Sequence, residues 1–202
     1  MGVVLALPGR GVEGVGSSML EIKFMGRGGQ GVVVASQILA RVYFLMGLYP
    51  QCFSVFGGER RGAPVASFLR VDRQKVLLKC AIQRPDHLIY MAPDLLDEKE
   101  VVSTLKPGGW VLINESMGRR DYQGLANTRV ALVDALAVAQ EAGLGGTINT
   151  AVLGAYVRAS QAIPLQHLER AIFQSVPSKV DQNLQAARLA YHTTRFLQGE
   201  TG

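Results

Sequence analysis

The chain has 202 residues, 48% of them hydrophobic and 18% charged, with a formal net charge of +5. That is the balance of a soluble globular protein able to bury a real core, as one large domain or a domain with a helical appendage. The charge is interspersed, with no Lys/Arg block and no aromatic interleaving; it suits an anionic small ligand or an acidic partner and argues against nucleic acid. Two cysteines, Cys52 and Cys80, stand far apart without a C-x-x-C, which excludes a cluster or zinc ribbon built by this chain alone.

Residues 1–18, MGVVLALPGRGVEGVGSS, are Gly-rich and aperiodic. Val3 to Leu7 is too short for a signal-peptide core and has no basic lead-in. The stretch reads as a disordered leader, with Met19 an alternative start and residues 19–202 as a single domain. No apolar run approaches the ~18 residues of a membrane span. Nothing suggests export, so the cytoplasm is expected and a disulfide is disfavoured.

A short apolar strand, Ile22 to Met25, runs into Gly26-Arg27-Gly28-Gly29-Gln30-Gly31, and a helical pattern from Val32 to Met46 starts at once. Gly26, Gly28 and Gly31 have the G-x-G-x-x-G spacing, which allows a tight turn, close approach of a phosphate to bare backbone, and close helix–strand packing. Free N–H groups at the helix start favour an anion, and Arg27 adds a cation beside them. The bland alternative is a tight turn that binds nothing.

Gly47 stops the helix, and Tyr49 to Phe56 is a second strand. FGGERRGAP, Phe56 to Pro64, is a loop by composition. Its paired Arg60 and Arg61 could clamp a phosphate or carboxylate, or simply belong to a solvated turn. Val65 to Val71 is a strand and Val76 to Leu78 a further strand-like piece, which together suggest a β-hairpin inserted into an alternating α/β pattern. Both cysteines fall in such apolar runs, where Cys acts as a small buried hydrophobe. His87 to Met91 is a strand whose entrance residue, His87, reads as a surface or packing residue. A helix is predicted from Asp94, its N-cap, to Leu105; strands are predicted at Trp110 to Asn114 and Arg129 to Val133. Asp134 opens an Ala-rich helix that Gly143 ends. Three helices follow: Asn149 to Ser160 capped by Asn149 or Thr150, Pro164 to Val176, and Lys179 to Leu197 after Ser178. His167 and His192 lie on helices without metal-ligand spacing. The pattern predicts an α/β fold: a Rossmann-like, mostly parallel sheet flanked by helices, with an inserted β-hairpin and C-terminal helices.

NAD or FAD would call for an acidic residue ~20 residues beyond the glycines, at the end of the second strand. That strand ends Phe53-Ser54-Val55-Phe56, without an acid. NADP, served by Arg60 or Arg61, and coenzyme A both stay open, since each carries a pyrophosphate and a ribose phosphate. No nucleophile elbow, no Cys beside a base and no carboxylate cluster is visible. A ligand loop without chemistry looks like one subunit of something larger.

Two motifs taken together carry a family resemblance. GRGGQGVVVASQILA followed by FGGERRGAPV resembles the gamma subunit of 2-oxoacid:ferredoxin oxidoreductases, the pyruvate synthase group. PDHLIYMAPDLL, LKPGGWVLINES, INTAVLGAYVRAS and LERAIFQSVPSKVDQNLQAARLAY fit the same family, so that the resemblance covers about Glu21 to Leu197. It departs at the leader, Val34, Tyr90-Met91-Ala92 and Pro177-Ser178. The resemblance implies a subunit, inactive alone, of an enzyme converting a 2-oxoacid and CoA to acyl-CoA and CO2 with reduction of ferredoxin, or the reverse. The ERRGAPV form points to pyruvate and acetyl-CoA. It also implies alpha, beta and delta partner subunits that carry the thiamine diphosphate, its Mg ion and the iron–sulfur clusters, none in this chain, with ferredoxin met through the complex. By position, Gly28, Gly29, Gln30 and Gly31 would face the CoA phosphates and Ser54 and Phe56 would lie near the adenosine. Lys179 and Asn183, four apart on the last helix, are further candidates; Arg27, Arg60 and Arg61 could serve CoA or an interface. The competing readings are a free-standing NADP-linked oxidoreductase and a purely structural subunit.

Overall fold

The computed structural model describes residues 19–58, 62–115 and 121–197. The leader, Arg60 and Arg61 lie outside the described residues. Seven strands form one sheet: β1 (Leu20–Arg27), β2 (Tyr49–Phe56), β3 (Pro64–Asp72), β4 (His87–Tyr90), β5 (Trp110–Asn114), β6 (Arg129–Val133) and β7 (Arg195–Phe196). Their order is β2-β3-β1-β4-β5-β6-β7. β1, β4, β5 and β6 are mutually parallel. β3 runs antiparallel to both β1 and β2, and β7 antiparallel to β6. β2 therefore points the same way as β1, and the unit from β1 through helix α1 (Val32–Leu45) to β2 is a split crossover with β3 inserted between its strands.

Period-two patterning assigns the faces. Ile22 and Phe24 of β1, Leu112 of β5 and Val133 of β6 face one side, where α1, α3 (Ala135–Glu141), α4 (Asn149–Ser160), α5 (Leu165–Ser175) and α6 (Val180–Thr193) pack. Leu88 and Tyr90 of β4, with Val111 and Ile113 of β5, face the other side and meet α2 (Glu98–Thr104) and the turn at Gln123–Leu125. β5 is buried at all five positions, as a central parallel strand between two layers must be. α1 begins with three valines, a poor helix start by propensity. The buried row Val32, Ala35, Ile38, Leu39 and Val42 against the sheet outweighs that.

A hairpin is present, but its arms are β2 and β3, paired from Tyr49↔Asp72 to Phe56↔Val65, and not 65–71 with 76–78 as the sequence suggested. Residues 76–78 lie outside the sheet. The helix predicted from Asp94 starts later. Pro93–Leu95 is a single 3-10 turn, and Asp97 caps α2 by accepting from the Lys99 and Glu100 amides at 2.9 and 3.3 Å. Asp94 is diverted because its carboxylate binds the Arg27 guanidinium. α4 has Ile148, not Asn149 or Thr150, at its N-cap. α6 stops at Thr193 instead of running to Leu197, because Arg195 and Phe196 pair with β6 and Arg195 meets the buried Glu115 carboxylate. Cys80 is exposed on a coil rather than buried in a strand; Cys52, on β2, is half-buried, and both are free thiols.

Candidate functional site

The C-terminal ends of β1, β2, β4, β5 and β6 share one edge of the sheet, where α/β folds collect ligands. The glycine turn lies there and is tied down by its own residues. The Gln30 side-chain Oε1 accepts from the Arg27 amide at 2.8 Å, and the Gln30 amide donates to the Arg27 carbonyl at 3.1 Å. Gly29 and Gly31 take the left-handed backbone, φ 96° and 78°. At Gly26 a Cβ would stand 2.5 Å from a Val32 methyl, so this position is kept bare by the packing of α1 on β1. Gly31 is the N-cap of α1 and offers no side chain to the first-turn amides. The turn thus delivers an uncapped helix start to the sheet edge.

β1–β3 pairing brings the second loop alongside. Arg27 sits opposite Pro64, the Gly28 amide donates to the Ala63 carbonyl at 2.9 Å, and Arg27 Nη1 donates to the Gly62 carbonyl at 2.8 Å. Arg27 is not a mobile cation: its Nε reaches Asp94 Oδ2 at 2.9 Å, and its Nη2 binds the same oxygen. Ser54 is held in a hydroxyl cluster, Ser54 Oγ to Ser67 Oγ at 2.9 Å and Ser67 Oγ to Ser36 Oγ at 2.6 Å. Phe56 ends β2 in the same sheet row as Val65 and Gly26 and is 62% exposed, an aromatic face at the site's edge.

Lys179 and Asn183 lie on the opposite wall and reach the glycine turn through a residue that sequence reasoning missed. Asn149, only 8% exposed, packs its amide against Gly31: a Cβ there would meet Asn149 Nδ2 at 3.1 Å. Asn149 Oδ1 accepts from the Thr150 amide at 2.8 Å, which leaves Nδ2 without a hydrogen-bond partner among the described residues. A cleft of about 310 Å³ follows, lined by Val34, Asn149, Ser178, Lys179 and Asn183 among others. The N-termini of α1, α4 and α6 all reach it, and none of their N-cap residues caps with its side chain, although Asn149 takes the first-turn Thr150 amide of α4. Lys179 holds a left-handed backbone, φ 52°, unusual for a side chain of its size, and its Nζ donates to the Gly143 carbonyl at 3.3 Å. Asn183 is spent on structure, donating to the Lys179 carbonyl at 2.8 Å and accepting from Thr150 Oγ1 at 3.0 Å. The helix that carries Asn149 was visible in the sequence. Its juxtaposition with Gly31 was not, because more than a hundred residues of chain separate them.

His87 is a packing residue. Its ring stacks near Trp110 and its Nδ1 shares a hydrogen bond of 2.9 Å with Tyr156 Oη, which bonds Tyr43 Oη at 2.9 Å. Burial pushes its pKa down to about 4 against the opposing pull of Asp86, with Arg129 and Lys106 adding to the fall. His192 is exposed, and His167 is half-buried with no partner for Nδ1. Among the described residues no group of three or more His, Cys, Asp or Glu is arranged to hold a metal ion. No helix among them is long and apolar enough to cross a membrane.

Residues 21–193 match the pyruvate ferredoxin/flavodoxin oxidoreductase family model. The chain belongs to that family. It is similar to the common gamma subunit of the pyruvate/ketoisovalerate oxidoreductases of Pyrococcus furiosus, 39% identical over 89% of this chain and 100% of that subunit. The crystal structure of the pyruvate oxidoreductase subunit PORC of Thermotoga maritima superposes with a TM-score of 0.77 at 30% identity, covering 89% of this chain and 99% of that one. At the level of fold alone it is similar to the 2-oxoglutarate:ferredoxin oxidoreductase of Magnetococcus marinus, solved with 2-oxoglutarate, coenzyme A and succinyl-CoA bound. There the TM-score is 0.68 at 19% identity, over 86% of this chain and 30% of that longer one. Within its family this chain is thus of the gamma-subunit kind, matching a gamma subunit and a PORC subunit over nearly their whole lengths.

Proposed function

We propose that the chain works as the gamma subunit of a 2-oxoacid:ferredoxin oxidoreductase acting on pyruvate, and that its own share of the reaction is to hold the phosphates of coenzyme A. One observation carries this reading: three helix N-termini whose N-cap residues make no side-chain cap converge on the cleft where the Asn149 amide meets the glycine turn. Each helix start carries a partial positive charge and free N–H donors, and a pyrophosphate is the anion that such a site neutralises best. Val32 to Val34 amides and Asn149 Nδ2 would donate to phosphate oxygens. Phe56 offers an exposed ring on which an adenine could stack. Lys179 would supply a cation by leaving the weak bond to Gly143, and Arg60 and Arg61 remain candidates for the ribose phosphate. The relatives that support the reading are named for pyruvate enzymes, and the Pyrococcus subunit is named as common to pyruvate and ketoisovalerate oxidoreductases. A subunit shared between two substrates fits a role toward their common co-substrate better than a role in choosing the 2-oxoacid.

The overall reaction would join the acyl group of the 2-oxoacid to the CoA thiol, release CO2 and pass two electrons to ferredoxin. Thiamine diphosphate with its magnesium ion would cleave the 2-oxoacid, and iron–sulfur clusters would carry the electrons, on alpha, beta and delta partners. This chain's contribution would be to bind, neutralise and orient CoA, so it would be inactive alone.

The test is the complex purified from native cells through a tag on this chain, wild type against Asn149→Ala. Loss of a hydrogen bond to a charged group costs about 1.5–3 kcal/mol, so KM for CoA should rise about ten- to hundredfold while KM for pyruvate stays unchanged. An unchanged CoA KM would leave the chain a purely structural subunit. Tight NADPH binding by the chain alone would replace the reading with an NADP-linked one.

A further inference from the structure

Residues 73–84, RQKVLLKCAIQR, contain the strand-like piece Val76 to Leu78 that the sheet does not absorb. They connect β3 to β4 on the surface, and residues 75–79 take no regular structure. Among the described residues, none of the main-chain groups of 75–79 makes a main-chain hydrogen bond. The segment is nonetheless anchored at both ends. Asp72 Oδ1 accepts from the Gln74 amide at 3.1 Å, Ile82 is buried, and Arg70 Nη1 donates to the Cys80 carbonyl at 2.7 Å. Arg70 is itself only 3% exposed and fixed by Glu21 at 2.9 Å.

Between these anchors Leu77 is 76% exposed and Leu78 50% exposed. Arg73, Lys75, Lys79 and Arg84 surround them with no acid in the segment, and none of the four makes an ion pair among the described residues. Two leucines held out in water are unfavourable for an isolated protein, and a row of open N–H and C=O groups is a template for a strand of another chain. Cations on either side select an acidic one. Main-chain donors and acceptors would find no partners in a lipid surface, and the segment has no aromatic residue on which a nucleobase could stack.

We propose that residues 75–79 are a docking strap, to which another subunit of the oxidoreductase adds a strand carrying carboxylates opposite Lys75 and Lys79 and an apolar seat for Leu77. The occupant is a different polypeptide and not a second copy. This rests on the subunit reading above and not on the coenzyme A site. Docking on the strap satisfies its main chain and covers its leucines in one step, the usual logic of strand addition.

The complex, purified from native cells at low ionic strength, is compared with the isolated chain by hydrogen exchange and by zero-length carbodiimide coupling of amines to carboxylates. The amides of 75–79 should exchange at least tenfold more slowly in the complex, and Lys75 or Lys79 should couple to a carboxylate of another polypeptide. Lys75→Glu with Lys79→Glu should lower the partner recovered per chain at least tenfold, with the chain's thermal melt unchanged because both side chains are exposed. Equal exchange in both states, coupling to a second copy of this chain, or full partner recovery by the double variant would each overturn the strap while leaving the subunit reading intact. A chain that comes down alone would overturn both.

Discussion

His87 shows how one side chain can link packing to pH. Its ring is sandwiched near Trp110 and Tyr156, and its pKa falls from 6.5 to about 4, chiefly because burial disfavours the charged form. Between those two values the unfolded chain takes up a proton that the folded chain refuses. Stability is therefore full above pH 6.5 and is lost as pH falls toward 4, by up to about 3 kcal/mol. Urea unfolding at pH 7 and pH 4.5 should show this loss in the wild type and a smaller one in His87→Asn, which keeps a polar atom near Tyr156 but does not titrate. An equal pH dependence in both proteins would mean that other groups carry the acid sensitivity. Asn149 stands at the same scale. It is buried, half-satisfied and set against a glycine, and it would decide CoA affinity with little effect on folding. The sequence marks it only as a helix-start residue, and its role depends on which glycine it meets.

At the scale of elements, α4 and α6 are joined through bare backbone. A Cβ on Gly154 would stand 2.0 Å from the Ala187 carbonyl oxygen, and the Thr150–Asn183 bond repeats the contact one turn earlier. The two helices run side by side with their N-termini together, so their spacing also sets the width of the cleft. Gly154→Ala should cost about 1–3 kcal/mol by forcing the helices apart, read as a lower urea midpoint, and should weaken CoA binding in the complex as Asn149 moves from Gly31. A stable variant with normal CoA affinity would show that the contact is slack. The small residues of INTAVLGAYVRAS hint at close packing, and the helical period places them on one face. Which helix they meet is a long-range fact that no local pattern carries. The displaced start of α2 has the same origin, since Asp94 and Asp97 are equivalent as caps until Arg27 claims the first of them.

Across the whole molecule the sheet has two differently employed ends. At the end where β1 and β4 begin, Arg70 binds Glu21 at 2.9 Å, and Lys106 reaches Glu21 and Asp86 at 3.1 and 2.9 Å. Those two carboxylates raise the Lys106 pKa, outweighing the partial burial that acts against them. Removing the buried member of this network would leave Glu21 to Lys106 alone, so Arg70→Ala should lose about 1.5–3 kcal/mol of unfolding free energy, the worth of a hydrogen bond to a charged group. Asn149→Ala, at the opposite end, should lose far less in the same measurement. Comparable losses in the two variants would contradict the division. Arg70 also holds the 73–84 segment at Cys80, just beyond the strap, which ties the rigid end of the sheet to the surface proposed to receive another subunit.

Strand–helix alternation, the glycine turn after the first strand and the helical C-terminal third could all be read from the sequence, because each rests on local periodicity, backbone sterics or capping chemistry. So could the family, since its motifs are contiguous. Tertiary structure alone decided that β3 enters between β1 and β2, that residues 76–78 stay outside the sheet, and that β7 closes on β6. It also decided that Arg27 is spent on Asp94, and that Asn149 and Lys179 share a cleft with Gly31. These are pairings between segments far apart in the chain, chosen by competition for one buried surface or one charge, and such a competition is decided only once every rival is in place.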